Sequence, residues 1–432
     1  MTDQPQDALL HDLHLPGLAG DGIDRRGFLK CMAWAGTGAL CVMQGGVLRS
    51  YALEGPAKSG GAPPRGELSF VQISDSHMGF NKAANPDVVG TFKAAIERIN
   101  ALPEPPAFLL HTGDITHLSK PEEFDTVTQL LKEAKAREVF YVPGEHDVLG
   151  DNGRQFLDRF GKGSHGGGWH SFDKSGVHFI GLVNVLNLKA GGLGSLGREQ
   201  LEWLEDDVRH LSKSTPIVVF AHVPLWTVYG DWGWGTEDAA QALSYLKKFG
   251  SVAVLNGHIH QTMQKVEGNV TFHTACSTAF PQPAPGSAPG PGPMQVPAER
   301  LRALLGLSQV RVAHGKGALG ITDLTLEGTA AAAPAAAPAA AADRAPAAAA
   351  GATEVKIDNF VFSPADLAVA RGTTVSWVNR DDMPHTVTSR DKVFASPTLD
   401  TDQRFSYTFA QAGTFPYYCT IHPMMTARVV VR

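Results

Sequence analysis

Residues 252–260 read Val-Ala-Val-Leu-Asn-Gly-His-Ile-His, an apolar run that stops at a glycine and two histidines. A short β-branched run bounded by turn residues reads as a buried strand, so the histidines fall where the strand hands over to a loop. The same order of residues recurs four times upstream. Leu68–Ser74 leads into Asp75-Ser76-His77, Ala107–His111 into Gly113-Asp114, Val139–Val142 into Gly144-Glu145-His146-Asp147, and Ile217–Ala221 directly into His222. A further strand-like run covers His178–Val183. Helical spacing occupies 87–101, 121–136, 198–211 and 237–249, the last apolar at Ala239, Leu243, Leu246 and Phe249. Strands alternating with helices predict an α/β domain over about 68–327. In open α/β sheets the carboxyl ends of the strands share one rim, so all five polar clusters are expected to meet on one ligand.

These clusters offer imidazole and carboxylate but no thiolate, a donor set for borderline-to-hard divalent or trivalent metals. A single histidine of this kind reads equally well as a packed core residue, and Asp75 alone as a helix cap; five at strand ends do not. The succession resembles that of the calcineurin-like metallophosphoesterases, most of all their cyclic-nucleotide phosphodiesterase-like branch, which implies a layered α/β domain. The resemblance implies that Asp75, His77 and His260 hold one metal, His222 and His258 a second, and that Asp114 bridges them. Manganese, iron or zinc, divalent or mixed-valence, would suit. It implies phosphate-ester hydrolysis by metal-activated hydroxide attack, with His146 as the catalytic histidine, stabilising the transition state and protonating the leaving oxygen. Gly113, Gly144 and Gly257 are expected to let the backbone turn tightly beside the metals. Two departures stand out. Glu145 occupies the place of the family's asparagine ligand, either binding as a carboxylate or swinging away, and His117 replaces an acidic residue that usually orients the catalytic histidine.

Between His222 and the helix at 237 lie Trp226, Tyr229, Trp232 and Trp234, separated by Gly230, Gly233 and Gly235. This aromatic loop reads either as a lid that closes on substrate or as a packed corner.

The last 79 residues, 354–432, carry no long helical pattern but alternate at Thr374–Val378, Phe405–Phe409 and Ala427–Val431, which predicts a small β-sandwich. They contain His385 and, in one loop, Cys419-Thr-Ile-His422-Pro-Met-Met425. Two imidazoles, a thiolate and a thioether form the ligand set of a blue-copper site, with methionine as the long axial ligand. This stretch resembles a cupredoxin of the plastocyanin, pseudoazurin or amicyanin type. The resemblance implies an all-β Greek-key sandwich holding one type 1 copper through His385, Cys419, His422 and, by position, Met425; a slip to Met424 and a copper-free sandwich are the other readings.

The remaining sequence organises these two parts. Residues 328–353 are almost entirely alanine and proline, a low-complexity spacer. The proline- and glycine-rich stretch 281–297 reads as a mobile insertion within the first domain. Residues 1–52 place Arg25-Arg26-Gly-Phe-Leu-Lys ahead of a weakly apolar run and Ser50-Tyr51-Ala52. That order resembles a twin-arginine export signal, which implies passage through the twin-arginine translocase to the periplasm, with 53–67 as a short linker. A basic turn before an anchor or buried helix is the alternative. Of four cysteines, Cys31 and Cys41 lie in this segment, Cys419 is the copper ligand that the cupredoxin resemblance implies, and Cys276, near the end of a run from Val270, is expected as a buried free thiol.

With 432 residues, 43% hydrophobic and 19% charged, the chain is long and apolar enough for two or three folded units. A net charge of −6 gives no positive field for a nucleic-acid backbone, so no nucleic acid is expected as a partner. The expected protein is an exported phosphoesterase acting on a small phosphodiester, with a redox partner for its copper domain. The alternative is a copper-handling or electron-transfer protein whose first domain is a non-catalytic scaffold.

Overall fold

The computed structural model describes residues 39–44, 47–52, 68–312, 319–327 and 353–432. Residues Ala39–Gln44 and Val47–Ala52 pair as an antiparallel hairpin. The arginine pair read above as part of an export signal and residues 328–352 of the Ala/Pro spacer lie outside the described residues.

The first domain stacks two mixed sheets, the layered α/β arrangement that the family resemblance implies. One runs in the order Leu319–Thr325, Gly306–Val312, Leu68–Ile73, Leu109–His111, Val139–Tyr141. The other runs Met263–Glu267, Val270–Thr274, Val252–Asn256, Ile217–Ala221, Val177–Gly181, His170–Lys174. The strands that carry the polar clusters pair in parallel within each sheet, whereas the outer strands add antiparallel edges. Phenyl rings fill the space between the sheets: Phe70 stacks on Phe108 at 4.9 Å and meets Phe179 edge-on at 5.4 Å. Ile217–Ala221 is buried at all five positions because this phenyl core covers one face and helices cover the other.

The helices Val88–Asn100 and Pro121–Leu131 pack on the first sheet, and Arg198–Arg209 and Ala239–Leu246 on the second. Val88–Asn100 begins where Asp87 Oδ1 accepts a hydrogen bond from the Gly90 N–H at 2.8 Å, a cap worth about 1 kcal/mol. It buries Val88, Phe92, Ala95, Ile96 and Ile99 along one stripe. The architecture is therefore a four-layered α/β domain with strand ends of both sheets at one rim.

Residues 353–432 form two four-stranded sheets, ordered Val361–Ser363, Thr353–Asp358, Thr374–Asn379, Arg404–Thr408 and Asp366–Val369, Thr426–Val431, Gly413–Tyr418, Thr388–Ser389. Trp377 and Tyr417, both fully buried, meet edge to face between them at 5.5 Å.

The two domains touch. A single apolar cluster contains Phe80 and Phe280 of the first domain and Phe360, Met383 and Ile421 of the second. Lys82 Nζ lies 3.6 Å from Asp400 Oδ1. The stretch 281–297, read above as mobile, is packed coil at this junction. Gln261 Nε2 donates to the Pro283 carbonyl at 2.7 Å, and the Phe360 ring lies so close to Gly290 that a Cβ there would sit 2.9 Å from Cδ2. Glycine provides the clearance for the ring, and the prolines hold the coil without a core of its own.

Candidate metal centres

Each of the seven metal-ligand candidates stands one to four residues beyond a strand, and at five of them the backbone is bent into an uncommon region. Asp75, His77, Asp114, His258 and His260 all have positive φ, between 39° and 71°. Such conformations cost about 1–3 kcal/mol each and persist only where the surroundings over-determine them. At Gly113, Gly144 and Gly257 a Cβ would fall within 2.5 Å of a polar atom of His222, Asp114 and Ser74 respectively.

Two donor groups form at the rim. Asp75, His77 and His260 offer atoms all within 4.8 Å of one another, and so do Glu145, His222 and His258. Asp114 stands between them, its Oδ2 3.5 Å from His77 Nε2 and 3.4 Å from His222 Nε2. Glu145, in the place of the family's asparagine, points inward, with its oxygens 3.0 Å from His222 Nε2 and 3.0 Å from His258 Nδ1.

The donors fit cations. His222 Nδ1 donates to the Thr112 carbonyl at 2.7 Å and His260 Nδ1 to the Phe280 carbonyl at 2.6 Å. Each bond fixes the tautomer whose Nε2 lone pair faces the centre. His77 Nε2 and His260 Nε2 are 3.2 Å apart, lone pairs brought together as a shared cation requires. Glu145 Oε2, His222 Nε2 and His258 Nδ1 are buried without a hydrogen-bond partner, the expected state of atoms reserved for a metal. Burial raises the Glu145 carboxyl, but His258 and His222 outweigh it and hold the group well below the usual carboxylate range. Burial likewise opposes the charged form of Asp75, and His260 and His222 again win.

His146 lines the same space. Its Nδ1 donates to the His117 carbonyl at 2.7 Å, and the two rings stack at 5.3 Å. A main-chain oxygen thus does the orienting for which the family uses a carboxylate. Burial and the neighbouring His146 keep the His117 ring well below its ordinary pKa, hence neutral.

The aromatic loop divides. Trp232 and Trp234 meet edge to face at 5.0 Å and line the chamber over the donors, with Trp234 only 1% exposed. Trp226 packs on Phe272, 5.1 Å away, outside the chamber. Tyr229 lies against Trp232 and beside Gly286 of the 281–297 coil. Cys276 is a free, half-buried thiol whose Sγ is 3.4 Å from the Thr262 hydroxyl, and burial pushes its pKa up.

In the second domain Cys419 Sγ lies 3.8 Å from His385 Nδ1 and 3.9 Å from His422 Nδ1, and those nitrogens are 3.2 Å apart. A point equidistant from all three is about 2.1 Å from each, an ordinary metal–ligand length. The sulfur accepts hydrogen bonds from the Thr386 and His422 N–H groups. Burial opposes ionisation, yet His385 and His422 draw the thiol well below its usual pKa. The loop closes on itself through Cys419 N to the Met425 carbonyl at 3.1 Å and Met425 N to the His422 carbonyl at 2.9 Å. Met425 is buried with the other three as the type 1 copper set, whereas Met424 faces the first domain, near Gly192. His385 Nε2 is held by Asp381 at 2.8 Å, fixing the ring behind the metal.

His422 also reaches beyond its own domain. With Phe360, Met383, Ile421 and Met424 it closes the chamber above His77, Asp114, Glu145, His146, His258 and His260, leaving about 30 Å³. Sequence reasoning assigned His422 to copper alone. The signal for its second role was the apolar company it keeps, Ile421 and Met424, on a loop that also binds metal.

Comparison with known proteins agrees with both centres. Residues 68–262 match the family described as calcineurin-like phosphoesterase, and residues 349–432 match copper binding proteins of the plastocyanin/azurin family. The chain is 38% identical over 86 residues to the amicyanin of Paracoccus denitrificans, covering 19% of this chain and 66% of that protein. It is 37% identical over 89 residues to amicyanin-alpha of Methylorubrum extorquens, covering 19% of this chain and 75% of that one. Over 219 residues, 49% of this chain, it is 24% identical to a 3',5'-cyclic-nucleotide phosphodiesterase of Nostoc sp., covering 79% of that protein. The chain thus carries a calcineurin-like phosphoesterase domain followed by an amicyanin-like cupredoxin domain of the plastocyanin/azurin copper-binding family.

Proposed function

We propose that this protein is a dinuclear-metal phosphoesterase that hydrolyses a small phosphodiester and carries a type 1 copper domain on the same chain. The observation that carries the reading is the pair of donor groups joined by Asp114 Oδ2. Two cations held there would supply the positive charge that clamps phosphoryl oxygens and acidifies a water between them.

The chain's own groups do the rest. Asp114 Oδ1 accepts from the His146 N–H at 2.9 Å, so the bridging carboxylate and the histidine loop are held in one register. With Nδ1–H committed to the His117 carbonyl, the imidazolium form of His146 carries its second proton on Nε2, and handing that proton to the departing alkoxide leaves the neutral Nδ1–H ring. Phe360, Met383 and Ile421 exclude bulk water, which strengthens every charge interaction inside. The diester class draws support from the Nostoc relative, whose name states that activity. Export to the periplasm by the twin-arginine route rests on Arg25-Arg26 and the run that follows, and the copper domain calls for a redox partner.

The test is hydrolysis of bis-p-nitrophenyl phosphate and of p-nitrophenyl phosphate by purified protein supplied with manganese, iron or zinc. The diester is expected to be the better substrate, with both activities abolished in Asp114→Asn. No hydrolysis with any of the three metals would return the first domain to a scaffold role.

A further inference from the structure

Two spaces lie between the domains, and they differ sharply. The chamber directly over the metal donors holds about 30 Å³, room for roughly two waters. Next to it is a groove of about 510 Å³, within the range of small-molecule sites. Glu145, Leu188 and Ile421 line both, so the groove is the outward continuation of the chamber. An ester whose phosphorus sits among the metal donors cannot extend straight out through Phe360, Met383 and His422; it has volume only along the groove.

The chemistry of the groove is selective. One wall belongs to the first domain and is mostly aliphatic, with Val148, Val185 and Leu186, and one neutral amide, Asn152. The other belongs to the cupredoxin and is lined by the hydroxyl-bearing Thr386, Ser396, Thr398 and Thr420. Among the described residues, no charged side chain apart from Glu145 at the inner end lines it, and no aromatic ring does. A second phosphate would find no cation there, and a nucleobase would find nothing to stack on, because Trp232 and Trp234 line the chamber instead.

We propose that the cupredoxin domain forms half of the phosphoesterase's substrate site, and that this groove holds the alcohol portion of the diester, a neutral group with aliphatic and hydroxyl character. The inference rests on the phosphoesterase reading above. Thr398 and Thr420 are then specificity-determining residues contributed by a domain whose family is built around copper. The wall is also fixed by the copper loop, since the Thr386 N–H donates to Cys419 Sγ and the Thr386 and Thr420 hydroxyls share a hydrogen bond of 2.9 Å.

Full-length metal-loaded protein is compared with Thr398→Trp and Leu186→Trp, which fill the groove from opposite walls. The substrates are two methyl phosphodiesters whose second alcohol is either methanol or a branched diol, with turnover followed as released alcohol. Inorganic phosphate, which needs only the metal end, is the inhibitor that reports on that end alone. Both variants are expected to lose about tenfold or more in kcat/KM for the diol ester, much less for the methyl ester, with the phosphate inhibition constant unchanged. An unchanged blue copper absorption certifies that the cupredoxin of Thr398→Trp is folded. Equal kcat/KM for wild type and both variants on the diol ester overturns the groove. Absence of hydrolysis and of phosphate binding in the wild type instead overturns the phosphoesterase reading itself.

Discussion

Replacing Gly144 by alanine tests how tightly the bridging carboxylate is held. Gly144 has φ −97°, which any residue adopts, so backbone conformation is not what demands glycine here. The demand is contact: a Cβ would lie 2.1 Å from Asp114 Oδ1, 2.4 Å from the Asp114 amide nitrogen and 2.7 Å from its Cγ. Restoring even a 3.0 Å approach to Oδ1 moves Asp114 or the 144–147 loop by about 0.9 Å, and the amide contact means that side-chain rotation alone does not relieve it. A displacement of that size at reacting groups costs about a hundredfold in rate, or about 2.7 kcal/mol of barrier. Asp114 Oδ2 serves both donor groups, so occupancy of both is expected to fall as well. The assay pairs kcat/KM for a nitrophenyl phosphodiester with metal content per chain, and the copper absorption certifies that the second domain is folded. A Gly144→Ala protein with wild-type turnover and full metal content would refute the packing argument.

Other perturbations report on other parts of the account. Glu145→Ala removes the carboxylate between His222 and His258 and is expected to lower the non-copper metal count by one; unchanged stoichiometry and turnover would show that Glu145 is no ligand. Phe360→Ala empties the space between Gly290 and His422, and burial of this kind is worth about 3–5 kcal/mol. Its melting temperature is expected to fall and its radius of gyration by small-angle scattering to grow as the domains part; absence of both changes would contradict the docked arrangement. His178 sits between Asp207 and Asp173, each 2.9 Å away, and although burial lowers its pKa these two carboxylates raise it above the ordinary 6.5. A raised folded-state pKa stabilises fully below the unfolded value and the benefit is lost as pH rises through the folded one. His178→Ala should therefore depress the melting temperature more at about pH 6 than at about pH 9; an equal loss at both would contradict the ion-pair reading.

Much of the first domain was legible because its rim residues follow strands without a break. The helix expected at 87–101 is Val88–Asn100, capped by Asp87, and the strand expected at 217–221 is Ile217–Ala221. The layered division into two sheets was legible only through the family resemblance, not in the strand pattern. His170–Lys174 and Met263–Glu267 are mostly polar edge strands whose pairing partners, not their own pattern, make them strands. Strand ends of two sheets, rather than of one open sheet, converge on the metals, a difference in layer arrangement that strand-end chemistry alone does not encode. The substitution of His117 for an acid looked like a loss of orientation for His146, yet the hydrogen bond comes from the His117 main chain, which any side chain would offer. The docking of the domains was hidden for a related reason. Phe360, Ile421 and Met424 are apolar, and an apolar residue in a small sandwich reads as core until a second surface is seen against it. Likewise 281–297 looked mobile by composition, although its prolines and glycines serve a close approach to Phe360.

The central claim, two cations sharing Asp114 beneath a copper domain, is tested most directly by counting metals in the purified full-length chain and in its Asp114→Ala variant. The account predicts two non-copper ions and one copper in the wild type, with both non-copper ions lost or greatly weakened in the variant and copper retained. Non-copper metal content that is the same with and without Asp114 would contradict it.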